Sequence, residues 1–357
     1  MGTTDSQFNL DKILVSSCAI FFILVVTINL IPYFPFIAYN FPTNSSGTLP
    51  VPSPSVSDYL PTNFSGSIRV PTAASPLHRD TCVSFLHSIR YKSSANGCQK
   101  EGGTCKDKKQ YSWDWIQSNR VSESCGFHRV HKSEASVLVN GSWIVVAGDS
   151  ECRLTYISLL EVFVGSEEMN RVKVDFTYQH GNYFKTVDGI GLKMDFLWRP
   201  FVSDLTELMW EFNKTKRYPD LIILGAGIWE MLYVNKAPDY GRKLEALRES
   251  YLATLGGGMP VFWLGMPTLV NPKLNTEMKR ARLTDGVRRM YDDALGGSRI
   301  LRQSGGPMFL LDLRLLSDLC GADCAADGMH YEEFVHDAAV QILLNILAIS
   351  SNKNIQP

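Results

Sequence analysis

The sequence predicts an α/β protein: a three-layer α/β/α core built on a parallel sheet, preceded by a disulfide-rich subdomain, a stem and one transmembrane helix. Three observations carry this expectation. From Trp143 onward, short apolar runs alternate with amphipathic helical stretches, the rhythm of a parallel sheet covered on both faces. Between Ile13 and Ile31 runs a nineteen-residue stretch whose only polar residues besides Cys18 are Ser, Thr and Asn. Four cysteines, Cys82, Cys98, Cys105 and Cys125, crowd the interval ahead of the alternating part.

Taken in order, residues 1–12 read as a cytosolic tail and residues 13–31 as a signal anchor, since nineteen helical residues reach about 28 Å, enough to cross a hydrocarbon core. A cleaved signal peptide is the rival reading, but the apolar core is long for one, and Asn29 to Phe36 lacks the small residues that cleavage needs. Charge flanks do not orient the span. The sequons do: Asn44, Asn63, Asn140 and Asn213 all follow it, as do seven of the eight cysteines, which points to an oxidising lumen. Residues 32–80, rich in Pro, Ser, Thr and Asn, read as a stem. Residues 81–140 read as the Cys-rich N-terminal subdomain, residues 141–350 as the core, and residues 351–357 as a tail.

The disulfide candidates are Cys82, Cys98, Cys105, Cys125, Cys320 and Cys324, and the odd count leaves Cys152 as the expected free thiol. A bridge from one of the first four to Cys320 or Cys324 is expected, because the loop from Gly321 to Gly328 is too rich in Gly and Ala to hold itself. The cysteine spacings fit no zinc pattern, so neither a metal nor a bound cofactor is predicted. With 357 residues, 45% of them hydrophobic, the chain can bury a sizeable core; a net charge of −1 without a basic stripe argues against nucleic acid as a partner.

Within the core, strands are predicted at Trp143 to Ala147, Val172 to Phe176, Leu192 to Trp198, Leu221 to Leu224, Val261 to Leu264 and Phe309 to Leu311. Helices are predicted at Phe201 to Phe212, Lys243 to Leu255, Glu277 to Leu295 and Tyr331 to Ile349. The first strand ends in Gly148, Asp149 and Ser150, and a helical run follows at once. A serine there is placed to act as a nucleophile, because unpaired N–H groups and the helix dipole stabilise an oxyanion. Near the far end of the chain, Asp327 stands three residues before His330, a spacing at which the carboxylate fixes the imidazole tautomer and leaves the other ring nitrogen to act as base. Arg153, one turn past Ser150, is expected to face the same side, orienting Asp149, contacting substrate or forming a structural ion pair. Gly225 and Gly227 follow another strand directly and offer either a main-chain oxyanion contact or simply a tight turn. His336, six residues beyond His330, is expected on the surface.

Gly148-Asp149-Ser150 with Arg153, the run Phe196-Leu197-Trp198-Arg199-Pro200-Phe201, Gly227 with Trp229, and Asp327-x-x-His330 together resemble the plant trichome-birefringence-like proteins of the PC-esterase group. The resemblance covers roughly residues 82 to 350. It implies an SGNH-like fold in a Golgi type II membrane protein that O-acetylates cell-wall polysaccharides. By the same resemblance Ser150 is the acetyl-accepting nucleophile, His330 its base and Asp327 the orienting residue. It also implies a polysaccharide acceptor, hemicellulose such as xyloglucan or xylan, and an acetyl donor, acetyl-CoA or a carrier derived from it. Two departures stand out. Where the family has Asn-Thr-Gly-His-Trp-Trp, this chain has Gly225-Ala226-Gly227-Ile228-Trp229-Glu230, so any oxyanion contact there must come from backbone. The family's Cys-Ser-His-Trp-Cys run is replaced by Ala326-Asp327-Gly328-Met329-His330-Tyr331, with Cys324 upstream. An esterase and a non-catalytic polysaccharide-binding protein are the alternatives to transfer.

Overall fold

A computed structural model of the chain describes residues 79–95, 109–116, 125–176, 180–256 and 258–351. The apolar run from Ile13 to Ile31, the stem with Asn44 and Asn63, and Cys98 and Cys105 lie outside the described residues. At the centre are six strands: β3 (Trp143–Gly148), β4 (Tyr183–Val187), β5 (Leu192–Trp198), β6 (Leu221–Gly225), β7 (Val261–Leu264) and β8 (Phe309–Leu311). Their order is β4-β5-β3-β6-β7-β8, parallel throughout except for the edge strand β4, which runs antiparallel to β5.

The inner strands β3, β6 and β7 are apolar on both faces because helices cover both. In β3, Ile144 and Val146 join one hydrophobic cluster while Val145 and Ala147 join the other; β6 splits the same way, Leu221 and Ile223 against Ile222 and Leu224. That is the period of two expected of a strand with two buried faces. The first cluster is closed by the helices Ser150–Glu161, Ser166–Phe176 and Glu333–Ser351, and the second by Val202–Thr215, Ala237–Leu255 and Asp285–Gly297. The three-layer α/β/α architecture is therefore as expected.

Two of the predicted elements take another form, and the edge strand β4 and the helix Leu313–Cys320 are not among those predicted. Val172 to Phe176 is the end of a helix, not a strand, with Met169, Val172 and Phe176 buried at helical spacing. The predicted helix from Glu277 to Leu295 is two, Glu277–Arg282 and Asp285–Gly297, because the Thr284 side chain accepts the N–H of Val287 and starts a new helix.

The segment before β3 packs into the same cluster as the sheet. Helix Arg79–Phe85 leads into the antiparallel pair β1 (Ile89–Ala95) and β2 (Lys109–Trp115), and Leu86, Ile89, Trp113 and Trp115 are buried against the first cluster. A disulfide joins Cys82 to Cys125, and a second joins Cys320 to Cys324; Cys152 is buried and free. Both bridges described are thus local, and the expected bridge from the first cysteines to Cys320 or Cys324 is not formed. Hydrogen bonds make that long-range link instead. Buried Gln341 and Asn345, one turn apart on the last helix, bind the main chain of Val130 and His128, and the Trp113 Nε1–H donates to Asp337 at 2.8 Å. The loop carrying His330 is held without a long bridge too, for the Lys273 ammonium donates to the carbonyls of Ala322 and Ala325, and the Tyr331 hydroxyl donates to that of Thr268.

Among the described residues, Glu333–Ser350 is long and apolar enough to cross a membrane, at mean hydropathy 1.3, yet 61% of it is buried inside the protein. It is the core helix that carries Gln341 and Asn345. Asn140 and Asn213 lie on the surface.

Candidate active site

Ser150 is the first residue of its helix, and the turn that presents it is built from Gly148 and Asp149. At Gly148 a Cβ would stand 2.2 Å from the Gly225 carbonyl oxygen and 2.4 Å from Cys152 Sγ, so only glycine lets β3 pass this close to β6. The Asp149 side chain caps the helix by accepting the N–H of Glu151 at 3.0 Å. Burial lifts the Asp149 carboxyl to about 6, against the hydrogen bonds it accepts and the charges of His330 and Arg153. Ser150 itself is only 7% exposed.

From the other end of the chain, the turn of Asp327 to His330 comes down over this helix start. Gly328 takes a positive φ of +84°, and a Cβ there would meet the Val270 carbonyl oxygen at 2.6 Å. The turn is closed by Asp327 itself, whose Oδ1 accepts the main-chain N–H groups of Met329 and His330. Its Oδ2 lies 2.7 Å from His330 Nδ1, and His330 Nε2 lies 2.7 Å from Ser150 Oγ. Hydroxyl, imidazole and carboxylate are thereby linked across a separation of 180 residues. Burial pushes the Asp327 carboxyl up, but the hydrogen bonds from the His330 ring and main chain outweigh it and hold the group well below the usual carboxylate range. With Nδ1–H directed at Asp327, Nε2 is the free acceptor toward the serine hydroxyl, and that geometry suits proton removal from Oγ.

The remaining sequence candidates distribute around this centre. Gly225 is the register partner of Gly148 at the end of β6, and Gly227 lies two residues beyond on the same edge of the sheet. Arg153 is half-buried beside Glu151 and Asp149, and burial pulls its guanidinium below its ordinary value. Trp229 sits in an aromatic cluster with Trp198 and Phe201.

His336 is not on the surface. It is 1% exposed, with Nδ1 at 3.0 Å from the Thr155 hydroxyl and Nε2 at 3.5 Å from Glu151 Oε2. The count from His330 misplaces it because the last helix begins only at Glu333, so the two intervening residues, Tyr331 and Glu332, are not helical. Burial depresses its pKa to about 3, which keeps the ring neutral. Glu151, adjacent to the nucleophile and equally buried, has its carboxyl pushed far up by burial and by the nearby Asp149 and Asp327 charges. Two further groups were missed: buried Glu230, lifted to about 7 by burial, and exposed His180, stacked on Trp198. Glu151 is signalled only by its place beside Ser150; nothing in the sequence pattern marks the other two.

Among curated proteins, Protein ALTERED XYLOGLUCAN 9 of Arabidopsis thaliana is 37% identical over 367 residues, a match covering 97% of this chain and 92% of the relative. The chain belongs to the trichome-birefringence-like family. No family model matches it. Among solved structures, a catalytic mutant of Axe2, an acetylxylan esterase from Geobacillus stearothermophilus, overlays with TM-score 0.36 and 15% identity, covering 58% of this chain and 94% of that one. A lipolytic G-D-S-L protein from Veillonella parvula gives 0.35 and 12%, covering 57% and 96%. These overlays are loose, and the fold rests on the strand connectivity above. In this trichome-birefringence-like chain the GDS turn and the DxxH turn meet despite the altered residues around Gly225 and Asp327.

Proposed function

We propose that the chain is an O-acetyltransferase that moves an acetyl group through Ser150 to a hydroxyl of a cell-wall polysaccharide, with hemicellulose of the xyloglucan or xylan type as acceptor. The reading is carried by the hydrogen-bonded series Ser150–His330–Asp327 at the carboxyl end of β3, the edge where ligands of such sheets bind. Membership of the trichome-birefringence-like family, with a relative named for xyloglucan, supports the acceptor class. In the first half-reaction Ser150 Oγ attacks the donor acetyl carbonyl while His330 Nε2 takes the hydroxyl proton. The tetrahedral oxyanion is received by main-chain N–H groups at the helix start and beside Gly227, and the donor leaves with the proton returned by His330. In the second, a sugar hydroxyl loses its proton to His330 and attacks the acetyl-serine, and collapse returns the proton to Ser150. Asp327 holds the imidazole and offsets its charge. The enzyme would work as a single-pass Golgi protein with residues 1–12 in the cytosol and an acetyl-CoA-derived donor.

Hydrolysis is the second reading, favoured by one observation: the side chains of His330 and Asp327 are 34% and 42% exposed, so water reaches the base. Incubating the purified chain with an activated acetyl ester, with and without xyloglucan or xylan oligosaccharides, separates the two. Acetyl on Ser150 and then on sugar supports transfer. Acetate released at an unchanged rate when sugar is added supports hydrolysis, and a Ser150→Ala variant behaving like the parent refutes both.

A further inference from the structure

A group of aromatic rings stands beside the Ser150 turn and is left unused by the chemistry above. His180 stacks on Trp198 at 4.5 Å with planes 13° apart, and Trp229 meets both of them edge-on at 5.5 Å. Trp229 in turn lies 5.1 Å from Tyr233. The strand register fixes where this group is. Trp198 is the partner of Gly148 on one side, tied further by the Arg199 N–H donating to the Gly148 carbonyl at 3.0 Å; Gly225 is the partner on the other side, and Trp229 follows it by four residues. Neighbouring strands are about 4.8 Å apart. Trp198 therefore ends the strand on one side of the nucleophile's turn, and Trp229 follows just past the end of the strand on the other.

The local backbone is shaped to hold them. A wide π-type turn, Glu230–Val234, closed by the Asn235 N–H donating to the Glu230 carbonyl, keeps Trp229 and Tyr233 on one side. Buried Glu230 pins that turn to the preceding helix, Val202–Thr215, by accepting the Val202 N–H at 2.7 Å. Aromatics such as Trp263 and Tyr156 are sealed in the core, whereas Trp198 and Trp229 are only partly covered, His180 is exposed and Tyr233 is 55% exposed.

Half-open indole, imidazole and phenol rings match the chemistry of a sugar. A pyranose presents a patch of C–H bonds on its face, slightly positive, to the negative face of an aromatic ring, and its rim hydroxyls find the polar tips that these rings carry. We propose that His180, Trp198, Trp229 and Tyr233 form a stacking subsite for the pyranose rings of a neutral glycan, holding the chain so that one hydroxyl reaches Ser150. The subsite rests on the reading above for its ligand class but not for the chemistry at Ser150.

The test is binding of cellohexaose and xylohexaose to the purified full chain carrying Ser150→Ala, followed by tryptophan fluorescence and by titration. Saturable binding is expected for at least one. Tyr233→Ala and His180→Ala, both at exposed positions, should each weaken it about tenfold, one decade in Kd. Trp229→Phe should retain more affinity than Trp229→Ala. Absence of binding by the Ser150→Ala chain, or equal affinity in the Tyr233 and His180 variants, overturns the subsite. Formation of acetyl-Ser150 in the parent chain is scored separately. Acetyl-serine without glycan binding removes the subsite alone, and glycan binding without acetyl-serine removes the chemistry alone. If Tyr233→Ala abolishes acetyl-Ser150 formation while glycan affinity is kept, the rings serve the acetyl donor and the proposal is wrong.

Discussion

Glu230 offers a measurable stability effect that tests how tightly the aromatic turn is built. Its carboxyl is fully buried, with Oε1 accepting the Val202 N–H and Oε2 without a hydrogen-bond partner, and burial raises its pKa from 4.5 to about 7. A raised folded-state pKa means that the folded protein holds the proton longer than the unfolded chain. Its contribution is complete below pH 4.5 and is lost as pH rises through about 7. At roughly 1.4 kcal/mol per pKa unit, the loss amounts to about 3 kcal/mol. Glu230→Gln mimics the protonated acid, keeping an oxygen for Val202 and adding an amide where Oε2 stood. Urea unfolding of parent and variant should therefore give nearly equal stabilities at pH 4.5 and a variant more stable by about 3 kcal/mol at pH 8. Parallel stability curves for the two proteins across that range would refute the argument.

Ser150→Ala and His330→Ala should each remove nearly all acetyl transfer, and the double variant should be no worse than either, since the groups act as a unit; strictly additive losses in kcat would count against the relay. Asp327→Asn should cost about four orders of magnitude in kcat by favouring the wrong tautomer. Because the Asp327 carboxyl is held low in the folded state, its stability contribution is present above the ordinary value of 3.8 and lost as pH falls, so acid unfolding should be less steep in the variant. Gly148→Ala should destabilise by about 3 kcal/mol, because its Cβ meets main chain and a buried thiol rather than a flexible side-chain end; calorimetry checks it. Peptide mapping without reduction should recover Cys82 linked to Cys125 and Cys320 linked to Cys324, with Cys152 labelled only after unfolding.

What was legible in the sequence follows from which interactions are local. β3, β6, β7 and β8 announce themselves because each is apolar on both faces and ends in a turn, and β5 because Leu192, Met194 and Phe196 alternate with the polar Lys193 and Asp195. Asp327 and His330 are three residues apart, so their hydrogen bond could be read from spacing alone. Long-range contacts left no such trace. The clamp of Gln341 and Asn345 on residues 128–130 uses ordinary polar residues inside an apolar helix, and the expectation of a cross-chain disulfide filled that gap wrongly. The second half of the 277–295 region shows the same limit: one Thr cap splits a pattern whose apolar spacing alone looks continuous. His336 was misplaced by counting helical turns through residues that are not helical.

The carboxyls around Ser150 divide the roles at the site. Four carboxyls gather there, and their surroundings drive their proton affinities apart: Glu151 far up, Glu230 to about 7, Asp149 to about 6, and Asp327 down. Of the four, Asp327 alone is shifted down, and it is the one aimed at His330 Nδ1. Glu151 could be thought a substitute, since its Oε1 is 4.0 Å from His330 Nε2. It approaches the nitrogen that must accept the serine proton, however, and burial keeps its charge off. A negative charge there would bind the imidazolium at Nε2 and oppose the return of the proton to the leaving group. Burial that disfavours charge on Glu151, with hydrogen bonds that favour it on Asp327, thus directs the imidazole: one nitrogen is tied to an anion, and the other is left to exchange its proton with Ser150.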